Sequence, residues 1–147
     1  MGSPPEDFAA RFAAPERLDV LVVVEREGAV IGDLMIKVAD AWAPLDLAPR
    51  ARGVQAELGW SLRREETGKG YATEAVEAAV RVCFERLGLR RVTASCFAAN
   101  SSSHRLMERV GMRRETHSVQ DALHPSGEWM DGYTYALLAD EWRPRRR

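Results

Sequence analysis

The sequence predicts an α/β fold of the α+β kind, in which a mostly antiparallel sheet is flanked by helices. Two apolar runs rich in Val and Ile, Leu18–Glu25 and Val30–Val38, are separated by a turn-like segment and predict an antiparallel hairpin. From Tyr71 to Leu87, apolar residues recur at helical spacing, which is typical of an amphipathic helix. The 147 residues, 46% of them hydrophobic, are enough for one domain with a buried core.

The remaining elements follow from the same patterns. In chain order, they are a short helix at 6–13, a loop at 39–53, and strands at Gln55–Leu62, Arg91–Ala98, Arg113–Val119 and Trp129–Leu138. A second helix begins at Asn100 or Ser101, because such side chains cap helix N-termini, and ends before Gly111. We therefore expect one domain over residues 1–147, with 1–3 interpreted as an expression remnant and 143–147 as a solvated basic tail.

Charge and cysteine content exclude several functional classes. The net charge of -1 gives no general electrostatic basis for binding nucleic acid or an anionic membrane. The sequence has neither a long apolar run nor a signal sequence, which favours a cytoplasmic protein. Cys83 and Cys96 lack the spacing of a zinc site or a disulfide framework, and the three histidines lack ligand spacing. We expect two reduced cysteines and no metal.

The segment Thr67–Ala75 has the order of an anion site. A strand runs into the glycines Gly68 and Gly70 and then directly into a helix, whose free amides and positive dipole end favour phosphate. The segment is not a Walker loop, which would need a glycine at Arg63 and Ser or Thr at Gly70. Nor is it a dinucleotide fingerprint, which would need a third glycine at Thr73. Taken alone, the segment is equally well explained as a tight strand-to-helix turn.

Four segments together resemble a known family. They are Glu57–Leu62, Gly68–Ala75, Gly88–Val92 and Asn100–Met112, and in this order they closely resemble the GNAT acetyltransferases. Their order and spacing resemble those in the RimJ/RimL-like branch, whose members acetylate the N-termini of ribosomal proteins. The resemblance implies a GNAT-like, mixed and twisted sheet whose central strands splay apart to form an acyl-CoA cleft. It is strong over about residues 54–112, fair to the C-terminus and weak before residue 39.

The resemblance also implies acetyl-CoA as the cofactor and assigns residues to it. The family's pyrophosphate loop falls on Thr67, Gly70 and Ala72, where Thr67 departs from the usual Gln or Arg. Pantetheine is expected to pair with exposed amides of the Glu57–Leu62 strand, as an added strand. The cofactor-binding residues that we expect are Leu58, Gly59, Trp60, Ser61, Leu62, Thr67, Gly68, Lys69, Gly70, Tyr71, Ala72, Thr73, Asn100 and Ser103.

Catalysis needs a base, because an attacking amine must be neutral and amines are largely protonated near neutral pH. Glu57 is the first candidate, although a solvent-facing strand residue is an equally good interpretation, and His117 is the second. Many GNAT enzymes place a proton-donating tyrosine where this chain has Met107, which cannot donate a proton. Ser103 or a water is then expected to protonate the CoA thiolate.

The predicted function is transfer of an acetyl group from acetyl-CoA to a primary amine, by direct attack in a ternary complex. The acceptor cannot be chosen from the sequence, because the acceptor-binding part before the first strand is short here. A protein N-terminus, a small amine and an antibiotic all stay open. A partner subunit in a homodimer would be one way to complete the acceptor-binding part. The alternative is a non-catalytic module that binds or senses acyl-CoA, with the phosphate turn but without a working base.

Overall fold

The structure, a computed structural model, describes residues 21–143. The predicted helix at 6–13, the first residues of the first predicted strand and most of the basic tail lie outside this range. The strands are β1 (Leu21–Arg26), β2 (Ala29–Ala39), β3 (Gln55–Leu62), β4 (Arg91–Phe97), β5 (Arg113–Leu123) and β6 (Trp129–Leu138). The α-helices are α1 (Tyr71–Arg81) and α2 (Ser101–Val110), and short 3-10 segments lie at Leu45–Ala51, Arg64–Glu66 and Ala139–Glu141.

The strands form one sheet in the spatial order β1-β2-β3-β4-β6-β5. Every neighbouring pair is antiparallel except β3 and β4, which are joined by α1 and are parallel. The predicted mostly antiparallel sheet with flanking helices is confirmed.

The two parallel strands separate partway along their length. Pairing runs only from Gln55 opposite Arg91 to Leu58 opposite Ala94. Beyond that point residues 59–62 of β3 have no partner on β4, while they remain paired to β2 on the other side. The splay of the central strands is therefore confirmed, and it leaves strand amides and carbonyls open to a ligand.

Both α-helices pack on one face of the sheet. Val76 and Val80 of α1 and Met107 of α2 are fully buried against strand residues such as Val92 and Ala94. A buried Val, Leu or Met side chain contributes about 1.5–3 kcal/mol to folding, so this layer is the main apolar core of the described residues. Successive strand residues point to opposite faces. The residues of β3 that alternate with the core positions therefore lie on the face opposite α1 and α2.

Three segments differ from the sequence expectation by more than one residue at an end. The helix predicted through Leu87 is α-helical only to Arg81 and then widens into a π-helical turn, Val82–Arg86. The wide turn keeps Cys83 buried while Phe84 packs against Trp142, with ring centroids 5.6 Å apart. Residues 39–53 are not wholly irregular, because a 3-10 segment forms there, and β5 continues past Val119 through a bulge.

Within residues 21–143, no helix is long and apolar enough to cross a bilayer. The same residues contain no group of His, Cys, Asp and Glu side chains suited to holding a metal ion. Cys83 and Cys96 are both free thiols, as the sequence predicted, and burial raises the pKa of Cys83 to about 11.

Candidate functional site

The turn between β3 and α1 is built on two glycines with left-handed backbone. Gly68 has φ 77° and Gly70 has φ 84°, a region that side chains with a Cβ rarely adopt. Gly70 is the N-cap of α1, no side chain caps the helix, and the first helical hydrogen bond runs from Glu74 N to Gly70 O at 3.0 Å. The amides of residues 71–73 therefore lie at the positive end of the helix without a capping acceptor among the described residues.

This helix end faces a cavity of about 940 Å³. Ten of the predicted cofactor-binding residues line it: Trp60, Ser61, Leu62, Thr67, Gly68, Gly70, Tyr71, Ala72, Thr73 and Ser103. We call it the larger cavity. It runs from the glycine turn towards the splayed end of β3.

Two cations at the larger cavity were not predicted from the sequence. Arg105 and Arg109 of α2 line it, and Arg109 Nη2 donates to Thr73 Oγ1 at 3.4 Å. Residues four apart lie on the same side of a helix, so the spacing of these arginines was a usable signal. That the side faces the glycine turn depends on the packing of α2 beside α1, which local pattern does not give.

A smaller cavity of about 390 Å³ lies in the splay between β3 and β4. It is lined by Gly59, Trp60, Ser95, Cys96, Phe97, Asn100, Ser103, Ser118, Asp121, Ala122, Gly132, Tyr133 and Thr134. Trp60 and Ser103 line both cavities, so the two spaces meet at these side chains. Together they form one path from the uncapped helix end into the gap between the central strands.

Three predicted site residues do not line either cavity. The Leu58 side chain is 2% exposed and lies in the core, and Lys69 Nζ lies 3.5 Å from Glu66 Oε2 at the surface. Glu57 is exposed and pairs with Lys37 of β2 and Thr93 of β4, one residue before the strands separate. By the alternation of the strand, its side chain lies on the face of the sheet opposite α1 and α2.

Several predicted cofactor contacts already have internal hydrogen bonds. Thr67 Oγ1 donates to Arg64 O at 2.7 Å, and Ser61 Oγ donates to Asp33 Oδ1 at 2.9 Å. Asn100 caps α2, because its Oδ1 accepts from the Ser103 amide at 3.2 Å. The hydroxyls of Thr67 and Ser61 therefore already donate their one hydrogen within the protein, and the Thr67 amide also donates to Arg64 O at 3.2 Å.

Comparisons with known proteins agree with this arrangement of turn, helix and splayed strands. The family described as acetyltransferase (GNAT) domain matches residues 4–113 of the chain. The chain belongs to the GNAT acetyltransferase family.

Two curated relatives and one solved structure illustrate the extent of the similarity to other GNAT proteins. The uncharacterized N-acetyltransferase YnaD of Bacillus subtilis is 38% identical over 86 residues, which are 58% of this chain and 50% of YnaD. The [ribosomal protein uS5]-alanine N-acetyltransferase of Escherichia coli is 33% identical over 89 residues, 60% of this chain and 45% of that enzyme. The structure of Mycobacterium smegmatis RimJ in complex with CoA-disulfide is 25% identical, with a TM-score of 0.73 over 92% of this chain and 61% of RimJ. The chain thus spans about half the length of the curated relatives that it matches.

In this GNAT domain the second candidate base, His117, is engaged by another side chain. Its Nε2 lies 2.7 Å from Asp131 Oδ2, and Asp131 Oδ1 accepts from the Gln120 amide at 2.9 Å. The bond to His117, followed by the Gln120 amide, holds the pKa of the Asp131 carboxyl below its usual range. His117 lines neither cavity, so its visible role is to fix the backbone of β5.

Met107, at the position where many GNAT enzymes have a tyrosine, is fully buried in the core. The nearby Tyr135 is also fully buried, and its hydroxyl donates to Glu108 Oε2 and accepts from Arg114 Nε at 3.3 Å. Burial, together with the bond to Glu108, raises the pKa of Tyr135. The Tyr135 hydroxyl is thus hydrogen-bonded to Glu108 and Arg114 and lines neither cavity, whereas Ser103 lines both.

Proposed function

We propose that the protein is an N-acetyltransferase that moves an acetyl group from acetyl-CoA to a primary amine. The observation that carries this proposal is the path formed by the two cavities, which meet at Trp60 and Ser103. One end of the path lies at an uncapped helix N-terminus, which suits a pyrophosphate. From there the larger cavity follows residues 60–62 of β3, which suit a pantetheine arm, to the junction at Trp60 and Ser103, and the smaller cavity lies beyond that junction.

The charged end of acetyl-CoA would be held by backbone and by arginine. The amides of residues 71–73 present donors and the positive helix dipole, and Arg105 and Arg109 add two charges at the wall of the larger cavity. The pantetheine amides would bond to the free side of residues 59–62 in β3, in the manner of an added strand. Asn100 and Ser103 line the wall opposite that strand in the smaller cavity.

The reaction forms one bond and breaks one. The amine nitrogen attacks the thioester carbonyl carbon, the resulting tetrahedral intermediate collapses, and the C–S bond breaks to release CoA thiolate. The amine proton leaves to a base, and the thiolate takes a proton to become CoA thiol. Preorganised donors at the carbonyl oxygen of such intermediates are typically worth about 3–4 kcal/mol, and unpaired amides of β3 are suited to this role.

We assign the base role to Glu57 and the acid role to Ser103. Glu57 lies one residue before the strands separate, on the face away from the helices, so a water would carry the proton between the amine and its carboxylate. Ser103 lines both cavities at their junction, where the sulfur would sit. Little driving force is required of the acid, because a thiol with a pKa of about 8.5 is a good leaving group.

We propose a class of acceptor, an oligomeric state and a cellular location for this protein. The E. coli relative is named for its acceptor, an alanine of ribosomal protein uS5. For this chain we propose a protein N-terminus or a small amine, and we keep the homodimer as a proposal. A cytoplasmic location agrees with two free thiols, because disulfides are rare in that compartment.

The proposal is tested by measuring CoA thiol release from acetyl-CoA, with and without a panel of primary amines, together with calorimetric binding of CoA, ATP and NAD. We expect CoA to bind while ATP and NAD do not, and thiol release to depend on the amine. Binding of CoA with no amine-dependent release would favour the acyl-CoA-sensing alternative. Tight ATP binding with none of CoA would contradict the site itself.

A further inference from the structure

A bulge in β5 brings a carboxylate to the smaller cavity. Ser118 pairs with Gly132 and Ala122 pairs with Met130, so residues 119–121 lie opposite Asp131 alone. Within the bulge Gln120 has φ 49°, a left-handed conformation that is uncommon for a non-glycine residue. Its amide donates to Asp131, which His117 also contacts, so this backbone is held by two hydrogen bonds to one side chain. Bulges re-aim side chains in this way, and the residue that follows Gln120 is Asp121.

The space that Asp121 occupies exists because its neighbour on β6 has no side chain. A Cβ built on Gly132 would lie 2.9 Å from Asp121 Oδ1, closer than real Cβ contacts allow. Tyr133 and the buried Tyr135 share one face of β6, so Gly132, which alternates with them, lies on the face opposite α1 and α2. The carboxylate thus lies over that face, beside Thr134 and Ser95, whose hydroxyl oxygens are 3.0 Å apart.

Charge separates Asp121 from the other lining residues of the smaller cavity. No other carboxylate and no Lys, Arg or His lines that cavity among the described residues. Within residues 21–143 no hydrogen bond or ion pair engages the Asp121 side chain, whereas Asp131 next to it on β6 is fully engaged. An acceptor that enters the smaller cavity as an ammonium ion would meet Asp121 as its one counter-charge there.

We propose that Asp121 binds the ammonium group of the acceptor and makes the site select cationic amines over neutral nucleophiles. This inference rests on the proposed function, since it places the acceptor in the smaller cavity. Asp121 is exposed, so solvent screens the attraction and we expect a selectivity of about three- to tenfold. The role is recognition, and it is distinct from the removal of the proton that we assign to Glu57.

The test compares two small probes that differ in charge, alaninamide and its hydroxyl counterpart lactamide, bound to the full chain saturated with CoA. NMR titration at about pH 6.5, where the α-amino group is mostly protonated, gives both dissociation constants. We expect the wild type to bind alaninamide about three- to tenfold more tightly and Asp121→Asn to bind the two probes equally. Glu128→Gln, which removes the same charge from the same hairpin outside the cavity, is the matched control and should keep the wild-type ratio.

A second variant tests the geometry. Gly132→Ala places a methyl group 2.9 Å from Asp121 Oδ1, so the carboxylate must move away from its position in the cavity, and the ratio should also fall although residue 121 is still Asp. Equal binding of the two probes by the wild type, or an undiminished ratio in Asp121→Asn, would overturn the inference. The acetylation assay keeps this outcome apart from a failure of the proposed function. If the protein acetylates amines but Asp121→Asn keeps the wild-type probe selectivity, only the proposed role of Asp121 is contradicted. If no acetyl transfer occurs at all, the proposed acetyltransferase function is contradicted.

Discussion

Gly70 is the residue at which backbone conformation and ligand binding depend on each other most directly. Its φ of 84° ends the glycine turn and starts α1 without a side-chain cap. A Cβ added there would meet no atom within 4 Å, so the protein itself leaves the space beside the helix end open. An open, uncapped helix end has free donors that a phosphate can use.

We predict that Gly70→Val abolishes CoA binding while the protein still folds. The left-handed backbone makes a non-glycine residue cost about 1–2 kcal/mol of stability, and the side chain occupies the space in front of the amides. Gly127→Val is the matched control, because Gly127 has φ 89° and open space around its Cβ but lies outside both cavities. Calorimetry and thermal unfolding should show similar stability losses and a loss of affinity only at Gly70. Equal CoA affinities in the two folded variants would contradict the presence of an anion site at this turn.

Glu57 is the residue whose role distinguishes an acetyltransferase from a protein that only binds acyl-CoA. We predict that Glu57→Gln lowers the catalytic rate by about 10²–10⁴ and leaves the acetyl-CoA dissociation constant nearly unchanged, because the amide is close to isosteric. Steady-state rates and calorimetry on one preparation measure both quantities. Asp121→Asn is the comparison, since it should raise KM and spare kcat. An unchanged rate in Glu57→Gln would make Glu57 a surface residue, and loss of both rate and affinity would make it structural.

At the scale of elements, α2 supplies two things to the cleft. Its N-terminus is capped by Asn100 at the smaller cavity, and its exposed side carries Arg105 and Arg109 along the larger one. The helix is fixed by Leu106 and Met107, which are buried against α1 and the sheet. The arginines therefore have a defined position relative to the glycine turn.

We predict that Arg105→Gln and Arg109→Gln each weaken CoA binding by about three- to tenfold and reduce its dependence on salt, as expected for screened contacts to phosphate. Arg86→Gln, an exposed arginine outside both cavities, should do neither. Calorimetric titrations at two ionic strengths measure the effect. Wild-type affinity and salt dependence in both variants would exclude these side chains from the phosphate site.

A second element-scale feature joins β4, β5 and the last 3-10 segment through charge. Glu115 bonds to Arg91 at 2.6 Å and to Arg113 at 2.8 Å, and Arg113 bonds in turn to Glu141 at 2.7 Å. The bonds from Arg91 and then Arg113 lower the pKa of Glu115 from 4.5 to about 2. The stabilisation is therefore complete above about pH 5 and is lost as pH falls from there towards 2.

We predict that Glu115→Gln lowers the free energy of unfolding at neutral pH by about 1 kcal/mol, a value that allows for solvent screening. The variant should also lose less stability than the wild type between about pH 5 and pH 2, because it no longer has this carboxylate to protonate. Glu128→Gln, at an exposed carboxylate without an ion pair among the described residues, is the control. Urea unfolding across pH measures both effects, and parallel pH profiles for wild type and Glu115→Gln would contradict the ion-pair account.

Across the whole molecule, local sequence patterns predicted the positions of several strand and helix boundaries. The strand Gln55–Leu62 and the start of α1 were predicted to the residue, because a glycine turn and a change of apolar period mark both boundaries. The Asn100 cap and the Gly111 end of α2 were likewise local, and Gly111 has φ 102° as a C-terminal glycine should. The splay of the central strands came only from the family resemblance.

What the sequence could not predict depends on packing between distant segments. Arg105 and Arg109 enter the site because α2 lies beside α1, and Asp121 enters it through a bulge in β5 that no local pattern marks. The π-helical turn at Val82–Arg86 was missed for a related reason, since apolar spacing of three and four residues does not distinguish it from α-helix. The role of Glu57 as the base remains a prediction, because Glu57 lies near the splay but outside both cavities.

Mass spectrometry of the amine after incubation with carbon-13-labelled acetyl-CoA shows whether acyl-CoA held along the two cavities donates its acetyl group to an amine. We expect the labelled acetyl group on the amine nitrogen, with one CoA thiol released for each amine acetylated. Gly70→Val should abolish labelling, and Glu57→Gln should slow it. Tight CoA binding by the wild type, with no label on any primary amine and thiol released only by hydrolysis, would contradict the account.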